Sequence, residues 1–74
     1  MNHPRNIIGP NVRRLRNHLG LSQERLALKC QLAGWDISRD GIAKIEGQVR
    51  WISDFELVYL CAVFQVKAEI LLAK

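Results

Sequence analysis

Arg39, Asp40, Ala43 and Lys44 carry most of the chemistry this chain can offer. They fall on the side of a short segment opposite Ile42 and Ile45, which face inward at helical spacing. A major groove about 12 Å wide admits one helix, and side chains near that helix's exposed amino end reach base edges. On such a helix Arg39 can meet guanine bidentately, and Lys44 can meet guanine or a phosphate. Asp40 can accept from cytosine or orient Arg39, while Gly41 leaves room for close backbone approach. Gln23 opens the preceding segment, where a helix's first amides would face the same anion that its side chain bonds. Arg13 and Arg14, Arg50, and the amides following Ser53 are further phosphate candidates. The bland alternative is that all of these are ordinary solvated charges.

Other chemistries are poorly supplied. His3 and His18 stand in an expected tail and at an expected helix end, and no serine or cysteine has a nucleophile's setting, so an enzyme is not expected. Cys30, Cys61 and two separated histidines match no usual zinc spacing, and no glycine-rich phosphate loop occurs; neither metal nor cofactor is expected. Both cysteines lie within apolar helical stretches and read as reduced thiols rather than a disulfide.

Positioning the candidate residues requires helices, and the spacing predicts five. The first begins near Ile8 or Gly9 with Pro10 in its opening turn, and Ile8, Val12, Leu15 and Leu19 form its inward stripe. Gly20 closes it. Arg16 falls at the edge of that stripe and needs a carboxylate partner. Residues 22–47 then read as two helices around a break, opened by Ser22 and Ser38 as N-caps and closed by Gly34 and Gly47. Residues 48–52 read as a loop. Ser53 with Glu56 three residues on forms a capping-box signature for a fourth helix, apolar on nearly every side and therefore read as central. A last short helix runs from Lys67 to about Ala73, and its consecutive Ile70, Leu71 and Leu72 suggest surface for self-association or for a protein partner. Residues 1–7 read as a flexible arm preceding a domain over 8–74, with Arg5 free to reach a phosphate.

The stretches LRNHLGLSQERLA, Leu15 to Ala27, and ISRDGIAKIEG, Ile37 to Gly47, resemble the helix-turn-helix domain of the Cro and phage-repressor superfamily, the XRE family. The resemblance covers about residues 6–72. It implies an all-α, lambda-repressor-like fold of five helices in which the third reads double-stranded DNA, as a homodimer on a near-palindromic operator. It also implies a structural ion pair between Arg16 and Glu46. The spacing from Ala27 to Glu46 is about five residues longer than the family's, which lengthens the second helix and its turn around Cys30 to Asp36, with Trp35 and Ile37 expected to pack that turn inward.

Length and charge fit that expectation. Seventy-four residues make one domain with a modest core. Residues 1–50 hold nine Lys and Arg against four acids, a surplus of five, whereas residues 51–74 hold two against three. Such asymmetry suits a polyanion on one side and a protein contact on the other. No run of 18 apolar residues or signal-peptide pattern is present, so a cytoplasmic location is expected and no membrane partner. The expected function is sequence-specific transcriptional regulation of the repressor type. The rival is an antitoxin-like protein-interaction module with DNA binding secondary or lost.

Overall fold

Ser22, Ser38 and Ser53 fix three helix starts in the computed structural model, which describes residues 3–74. Their hydroxyl oxygens accept from the amides of Arg25, Gly41 and Glu56 at 3.0–3.1 Å, and Glu56 returns the bond by accepting from the Ser53 amide. The described residues contain five helices and no strand: α1 Gly9–His18, α2 Gln23–Leu32, α3 Arg39–Glu46, α4 Asp54–Phe64 and α5 Ala68–Leu72. None is long and apolar enough to cross a membrane.

Four of the carboxyl ends share one device. A left-handed residue follows the helix, and the next amide reaches back five residues to a last-turn carbonyl, as in Leu21 to Arg16, Trp35 to Cys30, Val49 to Lys44 and Val66 to Cys61. Glycine fills the left-handed position after α1 and α2, at Gly20 and Gly34, but Gln48 and Gln65 adopt it after α3 and α4. Gly47, expected to end the third helix by its freedom, is right-handed with φ −79°.

The core is drawn from every helix: Ile8 and Val12, Leu26 and Cys30, Ile42 and Ile45, Leu60 and Phe64, and Leu71, with Ile37 from the long turn. Gly9 is where α1 touches α3. A Cβ there would meet the Ile45 and Glu46 carbonyl oxygens, so only glycine permits the approach. The turn between α2 and α3 packs inward through Ile37, 4% exposed, and is braced by Gln31 donating to the Ile37 carbonyl at 2.8 Å. Trp35 is half-buried and stacks on Tyr59 with centroids 6.0 Å apart. Cys30 is buried and Cys61 half-buried, both as free thiols, and burial pushes the Cys30 thiol up to about 11.

Three expectations need correcting. Leu19 is half exposed rather than inward, because it lies one residue beyond the last turn of α1. Asn11 is buried in its stead, its amide donating to the Leu71 and Ala73 carbonyls at the end of α5. The fourth helix is not central: Leu60 and Phe64 are buried, but Phe55 is 77% and Val58 65% exposed. Finally, the expected flexible arm is held at Arg5 and Asn6. Asn6 donates to the Ile45 and Arg50 carbonyls and accepts from the Gly9 amide, Gln48 donates to the Asn6 carbonyl, and the Arg5 amide donates to Gln48. Positions 1 and 2 of that arm lie outside the described residues.

Candidate nucleic-acid interface

Glu46, the last residue of α3, is the hub that orients the candidate reading helix. Its side chain is fully buried, yet it carries a carboxylate, which folding tolerates only where donors replace the lost water. Arg16 of α1 supplies two, from Nε at 2.7 Å and Nη2 at 3.0 Å, in the bidentate arrangement. Gln23 of α2 donates at 3.2 Å and Arg13 of α1 at 3.3 Å. Burial opposes ionisation, but the hydrogen bonds from Arg16 and Gln23, the charge of Arg16 and the bond from Arg13 outweigh it, holding the Glu46 carboxyl below the usual carboxylate range. The same hydrogen bond raises Arg16, against burial and together with the carboxylate's charge. Arg16 also donates from Nη1 to the Leu21 carbonyl at 2.8 Å, so all three of its guanidinium nitrogens are engaged. One carboxylate thus pins α1, α2 and α3 in a fixed mutual orientation.

With its inner side held this way, α3 turns Arg39, Asp40 and Lys44 to solvent, while Ala43 is half-buried between them. Asp40 and Lys44 pair across one helical turn at 3.1 Å, both largely exposed. Such a pair is worth about 0.3–0.5 kcal/mol and opens readily to an outside ligand. Arg39 has no acidic partner among the described residues. Gly41 serves the protein's interior instead of an approaching ligand: a Cβ there would come within 2.7 Å of the Ile37 side chain, so its smallness lets the long turn pack under α3.

The expected phosphate contacts divide. Arg14 is exposed and has no carboxylate among the described residues. Arg13 touches Glu46 but keeps a side chain 57% exposed. Gln23 is turned inward and its amide is engaged by Glu46, so it is not a free phosphate ligand. Arg50 is likewise engaged, since Nη1 and Nη2 grip the two Glu56 oxygens at 3.2 and 2.9 Å and the guanidinium lies 6.0 Å from the Trp35 ring. Ser53 cannot present its amide to an anion, because Glu56 already accepts from it, and Asp54 accepts from the Phe55 amide. Two carboxylates in the first turn of α4 answer that helix's positive end. Burial raises the Glu56 carboxyl, but Arg50 and Ser53 bonds and the Arg50 charge bring it below its ordinary value.

Asn6, Asn11 and Gln48 were not singled out by the sequence, and the only signal available was an amide residue beside a helix end. Arg25 and Lys29, exposed on the outer side of α2, extend the cationic surface. Among the described residues no group of three or more His, Cys, Asp or Glu could hold a metal ion.

The fold and this surface define a class: a small all-helical domain in which a buried ion cluster holds a short helix with its charged side outward. The chain matches no family model, no curated protein and no solved structure.

Proposed function

We propose that the chain is a non-enzymatic, sequence-specific DNA-binding regulator of the repressor type, built as a lambda-repressor-like helix-turn-helix domain. The observation that carries the reading is the solvent-facing Arg39 and Asp40 at the start of α3 with Lys44 one turn on, on a helix locked to α1 and α2 through Glu46. A fixed helix presenting an exposed arginine at its amino end suits major-groove entry. Arg39 reads guanine, and Lys44, released from Asp40, adds a second base or phosphate contact. Arg14 and Arg25, with Arg5 and part of Arg13, replace Gln23, Arg50 and Ser53 as the phosphate contacts. Two copies on a near-palindromic site would place their reading helices about 34 Å apart.

Selection of bound duplexes from a random pool, followed by affinity measurement across salt, tests the reading. If the exposed Arg5, Arg14 and Arg25 of two copies each reach a phosphate, affinity falls about a thousandfold between 50 and 200 mM salt. Arg39→Ala costs about 1–3 kcal/mol and relaxes preference at one base position. A salt-insensitive interaction, or an equal loss on every sequence, counts against base reading by Arg39. A protein-interaction module is the second reading, favoured by the exposure of Leu32, Trp51 and Phe55; failure of any duplex to be enriched would favour it.

A further inference from the structure

The outer side of α4 is apolar and uncovered. Phe55, Val58 and Ala62 recur at positions i, i+3 and i+7, so they form one stripe along the helix, and all three are exposed. At the Ala62 end the stripe opens into a groove of about 340 Å³ lined by Lys29, Leu32, Ala33, Ala62 and Val63. Leu32, from the end of α2, is 80% exposed at its edge. At the other end stands Phe55 beside the exposed Asp54. The stripe is therefore large and acidic at its start, small, hollow and basic at its finish, and free of charge between.

We propose that a second copy of this chain covers this face, packing α4 against α4 in antiparallel fashion about a two-fold axis between Val58 and Tyr59. Seven residues separate Phe55 from Ala62, about 10 Å along a helix, and the axis is midway between them. The symmetry operation carries each Phe55 onto the partner's Ala62 and its groove, so the protruding ring meets the hollow twice. It also brings each Asp54 to the partner's Lys29, while the two Val58 side chains meet near the centre. A parallel pairing would set Phe55 on Phe55 and Asp54 on Asp54, leaving both grooves empty. The match of size and of charge, each to its opposite end, is what a self-complementary two-fold interface requires. The face contains no residue of α3, so Arg39 stays uncovered. The inference deepens the two-fold assembly of the preceding reading by placing its interface away from the carboxyl-terminal helix, but it needs no DNA.

Sedimentation equilibrium of the whole chain without DNA tests it, and a failure there leaves duplex binding to its own assay. The expected mass is twice 8.5 kDa. Val58→Asp sets two carboxylates at the axis and gives a monomer; its helical circular dichroism stays native because the position is 65% exposed. Asp54→Lys and Lys29→Asp each weaken the dimer about tenfold as two ion pairs become repulsive. The double reversal restores it. A monomer at every concentration, a dimer indifferent to Val58→Asp, or a double variant as weak as the singles would overturn the proposal.

Discussion

Replacing Glu46 by alanine removes the one carboxylate shared by three helices. Arg16, with a side chain only 13% exposed, would keep its charge and lose both bonds to Glu46, retaining only the Leu21 carbonyl. Gln23 and Arg13 would each lose an acceptor. Breaking a buried pair from one side costs about 3–5 kcal/mol, chiefly because the surviving charge is stranded. A domain of this length has about 4–11 kcal/mol of total stability, from roughly 0.05–0.15 kcal/mol per residue, so the variant should be close to unfolding. At about 4–8 °C per kcal/mol, its Tm falls by at least about 12 °C. Urea unfolding followed by tryptophan fluorescence and far-ultraviolet circular dichroism measures the loss. Glu46→Gln, which keeps the shape but supplies a neutral acceptor, should lose somewhat less. The internal control is Lys44→Ala, which breaks the exposed Asp40 pair and should cost about 0.3–0.5 kcal/mol. If Glu46→Ala costs less than about 1 kcal/mol, the hub does not hold the three helices and the account of α3's orientation fails with it.

Two further outcomes follow from the same geometry. The Glu46 and Glu56 carboxyls are held below their ordinary range when folded, so the stability they contribute is full above the unfolded carboxylate pKa and disappears as pH falls through the depressed folded values; unfolding free energy measured from pH 7 downward should decline below about pH 5, and Glu46→Gln should flatten that decline. Gln65 is exposed and left-handed at φ 58°, so Gln65→Gly should relieve strain and raise stability by about 0.5–1 kcal/mol, or about 2–8 °C in Tm; a lower Tm would show that the Gln65 side chain matters more than its backbone.

Local signals were readable where chain neighbours decide the outcome. Serine oxygens reach amides three residues away, so Ser22, Ser38 and Ser53 marked helix starts from spacing alone. Gly20 and Gly34 marked two ends for the same reason, but Gln48 and Gln65 take a conformation that their residue type does not advertise. The need of Arg16 for a carboxylate followed from its place beside the inward stripe, and its partner Glu46 came from the family resemblance. What stayed hidden were consequences of distant neighbours. Asn11 is polar and was not placed in the core, yet two carbonyls some 60 residues on satisfy its amide. Gln23 and Arg50 have the chemistry of phosphate ligands, and only the folded chain reveals that Glu46 and Glu56 reach them first. Continuous apolarity in α4 suggested burial from all sides, whereas the small fold has too few elements to cover it.

The knot around Asn6 bears on how this protein can be handled. Its amide links the Ile45 carbonyl in the last turn of α3 to that of Arg50, and its oxygen steadies the first turn of α1. Arg5 and Asn6 are therefore structural members, and trimming them would loosen the seam between α1 and α3.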